Sequence, residues 1–364
     1  MTSMREQADG QRAVVRPRSA GSDRDPNPGL LQLHKTAGNR AVGQILRRPA
    51  EKQTGLRRAD AVERFVRKAV AFFARNQDGG LTEYALYLGA DVNTELERIG
   101  VPAVTVQIAK QDDGAAGQFF ADSWQMVLHP LAFTKRPGVK TMGELTADEA
   151  ALVAHTVYHE ARHAEQHFRI ARLQAAKGEE TGLELEENVA KAAAAAPLTA
   201  QTGSAREFKE AKDWEAIEYG ADAIYRQAVT TWLFEVRETL DLVRKADTAN
   251  AADVRERVGR RIAGWVRRDG AGQYIRSHLA SARARKATEL AADIVGIDKA
   301  LTQVQQVDGA LTEAASPEVF KPLVEALIGL NRAVYTAYGR QPVEADAFEA
   351  GNAVLDAFSK PNQQ

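Results

Sequence analysis

The 364-residue chain contains no cysteine. That excludes a disulfide frame, a thiolate metal site and a cysteine nucleophile. No apolar run approaches the roughly 20 residues that a bilayer-spanning helix requires. The first thirty residues are polar and dotted with arginine, with no apolar segment of the signal-peptide kind. Net charge is only −1, so bulk charge argues for no polyanionic partner. Aromatic residues make up 7% while alanine is abundant, a balance that favours helices over a β-sandwich. What is present is 44% apolar content, enough for a sizeable core as one large domain or two modest ones.

Charge is unevenly spread. Residues 1–58 hold 12 Lys and Arg against 5 Asp and Glu, while the remainder is acidic. Four of the twelve prolines, Pro17, Pro26, Pro28 and Pro49, also fall there. This stretch reads as a basic, mostly disordered leader without a core of its own. One island interrupts it, over residues 30–48. Leu30, Leu33, Val42, Ile45 and Leu46 suit one face of a short helical hairpin bent at Gly38-Asn39, either a docking element or a stray helix. Without aromatic interleaving, a basic tail alone makes a poor case for nucleic acid.

From residue 59 onward the pattern tightens. Residues 59–76 and 81–99 carry apolar residues at helical spacing. Val101–Ile108 and Gly117–His129 read as strands, with Asp112-Asp113-Gly114 as the hairpin turn between them. Everything after about residue 140 reads as helical, with connections at 190–206 and 308–318. The expected fold is mainly α (α+β): a small sheet and one long helix in 59–178, then a helical region over 179–364.

That long helix begins at a capping box, Thr146-Ala147-Asp148-Glu149, and ends near Gly178. Within it lies His159-Glu160-Ala161-Arg162-His163, an H-E-x-x-H motif. Residues four apart on a helix lie about 40° apart around the axis. His159 and His163 therefore present two imidazoles to one point, where a zinc ion would take them as two of its usual four ligands. Glu160, on the flank, is placed to take a proton from the attacking water and pass it to the leaving amine. On a helical wheel Leu152, Thr156, His159, His163 and Ile170 form an inward stripe. Tyr158, Arg162, Glu165, Arg169 and Arg172 form an opposite one, expected to face water. A helix can also carry such a histidine pair for structure alone. His155 and His167 extend the ladder at spacing four, and read as polar helix residues or supporting partners rather than ligands.

With no cysteine available, a third ligand must be His, Asp or Glu. Arg169 stands where the longer zincin signature has a histidine, so a carboxylate from a later helix is expected. Glu218 is one candidate, in Glu218-Tyr219-Gly220-Ala221-Asp222, an E-x-x-A-D spacing in which one of Glu218 and Asp222 would bind metal and the other orient a ligating histidine. Glu344 is the other, placed in a first helical turn by Pro342. Each also has a plain reading, as a solvated helix residue or as an acid favoured by the helix dipole.

Tyr158–Gln166 resembles the zinc helix of bacterial metallopeptidases associated with extracellular contractile injection systems. The Ala-rich stretch Ala192–Leu198 ending Pro-Leu, the Trp214…Tyr219-Gly220 segment, and Tyr338, Pro342, Glu344, Asp346 and Ala347 match further motifs of that family. Leu31–Val42 resembles the Leu-Gln-x-x-x-Ala-Gly-Asn-Arg-Ala-Val leader element of proteins encoded beside such particles. These motifs touch about half the chain. The resemblance implies a zincin-like zinc peptidase with Glu160 as catalytic base and a protein or peptide substrate. It favours Glu344 over Glu218 as third ligand beside His159 and His163. It further implies an effector or toxin made in the bacterial cytoplasm, loaded into a contractile particle through its leader and delivered to a target cell. Tyr158 and Tyr338 are candidates for a second electrophile at the oxyanion. The alternative is a helical cargo or interaction protein with a structural or inactive metal site.

Overall fold

The computed structural model describes residues 53–359, apart from 110–115, 130–133, 135, 137, 179–183, 221, 268–269 and 311–316. The leader's 30–48 island and the Asp112-Asp113-Gly114 turn lie outside the described residues. The fold is mainly α with one small sheet. Helices α1 (Ala59–Arg75) and α2 (Leu81–Arg98) precede three short strands, β1 (Thr105–Ile108), β2 (Gly117–Phe120) and β3 (Gln125–Leu128). The 31-residue α3 (Ala147–Lys177) follows. Then come α4 (Glu187–Ala195), α5 (Ala205–Tyr219), α6 (Ala223–Arg244), α7 (Ala251–Val266), α8 (Ala271–Ala284), α9 (Thr288–Ala310), α10 (Lys321–Gly339) and α11 (Pro342–Phe358). No helix among the described residues is long and apolar enough to cross a membrane.

The sheet differs from the hairpin expected. Its order is β1-β3-β2, with β1 parallel to β3 and β2 antiparallel to it. The single strand read over 117–129 is in fact the true hairpin, folded at residues 121–124. Its apolar run looked continuous because Trp124, which closes the turn with a positive φ of 50°, is itself buried. β2 is therefore an edge strand, and it lies against α3.

Local rules account for α3. Thr146 accepts from the Glu149 N–H while Glu149 reaches back to the Thr146 N–H, so two otherwise orphaned donors are satisfied. Gly178 terminates it at φ 70°, a left-handed conformation that glycine adopts without a Cβ clash. Between these caps α3 is buried on nearly every side. Apolar side chains drawn from residues 62–171 build one core around it, with Phe65 and Tyr158 ring to ring at 4.9 Å. A second core joins α6 to α10. The chain then returns: α11 runs along α3, and its Ala350 and Val354 complete the first core. Leu56, within the stretch read as leader, is fully buried in that core too, because its side chain fills a gap beside α1 and α3. Of the expected connections, 190–206 is half helix, since α4 continues to Ala195.

Candidate metal centre

His159 and His163 stand one turn apart on α3 and are both buried. Their Nε2 atoms approach to 3.1 Å. Two atoms so close, both usable as lone-pair donors, are poor company without something between them. Glu344 completes the group from α11. Pro342 opens that helix and Glu344 falls in its first turn, as its spacing after proline requires. Its Oε2 lies 3.6 Å from His159 Nε2 and 3.5 Å from His163 Nε2.

These three separations can be tested against a metal. Zinc binds imidazole and carboxylate at about 2.0–2.1 Å in tetrahedral geometry, which sets neighbouring donor atoms about 3.3 Å apart. Edges of 3.1, 3.5 and 3.6 Å describe one face of such a tetrahedron. The Glu344 Oε2 atom is buried and has no hydrogen-bond partner among the described residues, an expensive state for a carboxylate oxygen unless a cation sits against it. The donor set and its geometry fit a divalent ion of zinc's kind.

Glu160 lies beside this triangle: His159, Glu160 and His163 each offer a ligand atom within 4.8 Å of the others. Burial raises the Glu160 carboxyl above its ordinary range, and the Glu344 carboxylate adds to that, while the two histidines pull the other way. Burial also works to raise Glu344, but the facing histidines outweigh it and hold that carboxyl below the usual range. Burial likewise disfavours a charged His163, yet Glu344 overrides it and raises the imidazole to about 9. Without a metal, an imidazolium–carboxylate pair takes the place of the cation.

The site opens on a cleft of about 890 Å³. One wall is α3 with the edge strand β2. The facing wall carries Arg226 and Phe234 of α6 and Tyr335 and Tyr338 of α10. Glu218, at the end of α5, also lines the cleft, and burial raises its carboxyl. Among the described residues no ion pair joins it to either histidine, whereas Glu344 reaches both. Asp222 does not orient a histidine; it pairs with Arg285. His155 and His167 line the cleft outside the triangle, and burial lowers His167 to about 4, leaving it neutral. Tyr338 sits beside Glu344, and burial together with that carboxylate keeps its phenol protonated. Tyr158 is elsewhere: its hydroxyl donates to the Leu56 carbonyl at 2.7 Å on the far side of α3.

Of the stripe expected to face water, only Arg172 is partly exposed. Tyr158, Arg162, Glu165 and Arg169 are all buried. The 54–57 segment, α5 and α11 cover them and supply counter-charges: Asp346 for Arg162, Glu207 and Glu210 for Arg169. Trp214 of α5 lies across both guanidiniums, 5.1 and 5.8 Å from its ring centre. The supporting residues Gln166 and Asp346 were not singled out as site residues from the sequence. Gln166, three residues beyond His163, carried a readable signal, since positions three apart on a helix are neighbours.

Compared with known proteins, the chain matches no family model, no curated protein and no solved structure.

Proposed function

We propose that this protein is a zinc-dependent peptidase, with His159, His163 and Glu344 as metal ligands and Glu160 as the catalytic base. One observation carries the reading: three buried donors from two helices converge at tetrahedral spacing, with a fourth, proton-accepting carboxylate beside them, on the wall of a cleft. A zinc ion held there supplies Lewis acidity for a carbonyl oxygen and acidifies water. Glu160 takes a proton from the attacking water on its carboxylate and returns it to the departing amine nitrogen. Its raised carboxyl suits both halves of that exchange. Tyr338, kept protonated in the cleft, offers a hydroxyl to the developing oxyanion. The edge strand β2 lines the same cleft; its Phe119 N–H is taken by Glu160, and the other outward backbone groups, unpaired with a further strand among the described residues, are available to an extended peptide.

The leader resemblance at Leu31–Val42 supports the further reading that the protein is cargo of a contractile injection particle. Deleting residues 1–48 should abolish loading; unchanged loading refutes that part.

The test of the enzyme is Glu160→Gln in the full chain. It should keep one zinc per chain by elemental analysis. Cleavage of an unfolded protein substrate should fall by about 10²–10⁴-fold. If zinc is bound but wild type and variant alike cleave nothing, the site is structural, as the interaction-protein reading requires.

A further inference from the structure

His163 is the better fixed of the two histidines, and what fixes it leads through α3 to the N-terminal segment. Its Nδ1 lies 2.9 Å from Gln166 Oε1. The Gln166 amide is not free to turn over. Its Nε2 donates to the Val343 carbonyl at 2.9 Å and to Asp346 Oδ2 at 2.7 Å. Neither acceptor has a proton to offer in return. The amide oxygen must therefore be the atom facing His163, so Nδ1 keeps a proton, and Nε2 is the nitrogen that would give its lone pair to a metal in exchange for its own proton. Val343 and Asp346 flank Glu344 in sequence, so one glutamine side chain aligns a histidine ligand with the turn that carries the carboxylate ligand.

Asp346 is held in turn from behind. Arg162 reaches it through Nε at 2.7 Å and Nη2 at 3.3 Å. Arg57 Nη1 donates to Oδ1 at 2.8 Å, the oxygen that Arg162 Nη2 also approaches, and Arg57 pairs with Glu349 as well, one turn along α11. Arg57 belongs to a short segment seated firmly on α3. The Leu56 N–H donates to Glu165 at 3.0 Å, the Leu56 carbonyl accepts from Tyr158, and Thr54 accepts from Arg169 at 2.9 Å. Gly55, at φ 57°, crosses so close that a Cβ there would overlap the Glu165 carboxylate. The backbone thus approaches α3 closely at the one residue able to do so.

We propose that Arg57 is a positioning residue of the metal site. Anchored by the 54–57 segment, it clamps the first turns of α11 through Asp346 and Glu349, and so sets Glu344, and through Gln166 also His163, at metal-binding distance. The inference rests on the metal-site reading above. The site's geometry then depends on the last residues of the stretch read as leader, so a partner that gripped the residues before them and drew that segment away would loosen the metal's third ligand.

The test measures zinc affinity of the full chain by competition with a chromophoric chelator, with circular dichroism and thermal melting of the metal-free proteins alongside. Arg57→Ala should bind zinc about 10–100-fold more weakly, the usual effect of removing a ligand's supporting contact. Arg57→Lys, able to reach one carboxylate oxygen, should recover part of the loss. Arg58→Ala, which removes only an exposed pairing with Asp60, should stay within twofold of wild type. Gln166→Met, which leaves the Arg57 contacts in place, should also weaken binding, and it serves if Arg57→Ala does not fold. In a Glu344→Ala background, measured at zinc concentrations high enough to load the two remaining histidines, Arg57→Ala should cost less affinity than it does in wild type, because only the route through Gln166 to His163 is left. A general structural role would instead lower affinity equally in both backgrounds, and that result overturns the proposal. So does an Arg57→Ala affinity within twofold of wild type. Wild type that takes up no zinc at all removes the metal-site reading and this inference together. Tight, equal binding by wild type and Arg57→Ala removes this inference alone.

Discussion

The two faces of α3 bury polar groups in opposite ways. On the back, Arg162 and Glu165 are fully enclosed, and each charge meets an opposite one: Arg162 with Asp346 and Glu165, Arg169 with Glu165, Glu207 and Glu210. That face is closed, with its hydrogen-bonding capacity largely spent inside the protein. On the front, the His159 and His163 Nε2 atoms and Glu344 Oε2 converge on one point, and among the described residues Glu344 meets no Arg or Lys there, only the two imidazoles. Both faces bury polar side chains, so polarity and burial alone do not mark a ligand site. Convergence of acceptors does. Buried acceptors that face one another are costly unless a cation or proton enters, whereas buried opposite charges are already matched.

The comparison can be broken first from the back. Arg162→Met keeps much of the side-chain volume but leaves Asp346 and Glu165 with a missing partner. Removing one member of a buried ion pair costs about 3–5 kcal/mol. Urea unfolding of the metal-free protein should show a loss of that size. A loss below about 1 kcal/mol would mean that the back network is wetter and looser than its distances imply, and the contrast with the front would collapse.

A somewhat smaller effect is expected from the front, and it needs the metal. Zinc at about 100 times its dissociation constant should add about 2.7 kcal/mol to the unfolding free energy, because it binds the folded chain alone. His163→Ala should abolish that increment while leaving the chelator-treated protein folded. Unfolding curves with zinc and with chelator, for both proteins, give the answer. An increment that survives in His163→Ala would place the ion elsewhere.

The front of α3 was legible because its signals are local. The Thr146–Glu149 cap, the four-residue spacing of His159 and His163, and Pro342 two residues before Glu344 all act within one or two helical turns. The back was misread because its determinants are distant. Arg162, Glu165 and Arg169 look like any solvated helix stripe until Asp346, 184 residues on, and Leu56, 109 residues before Glu165, are brought against them. The sheet order failed for a related reason. Strand periodicity reports which residues alternate, not which strand lies next to which, and the parallel pairing of β1 with β3 has no mark in either segment.

The smallest expected effect is the sharpest test of the front's geometry. From spacing alone Glu218 and Glu344 were comparable, since both are helical carboxylates expected near the zinc helix. Their placement separates them. Glu344 is carried into the first turn of a helix packed along α3, where its Oε2 meets both imidazoles within 3.6 Å. Glu218 sits in the last turn of α5, beside an exposed Tyr219, on the cleft wall without an ion pair to either histidine among the described residues. Glu218→Ala should therefore leave zinc affinity within about threefold of wild type, since the charge it removes lies outside the ligand shell and acts only through a partly screened field. Glu344→Ala, measured beside it, should weaken zinc binding far more, leaving only the two histidines to hold the ion. If the two variants traded places, the helix end at α5 would have to swing into the site on metal binding, and the triangle of His159, His163 and Glu344 would be an ion pair rather than a metal site.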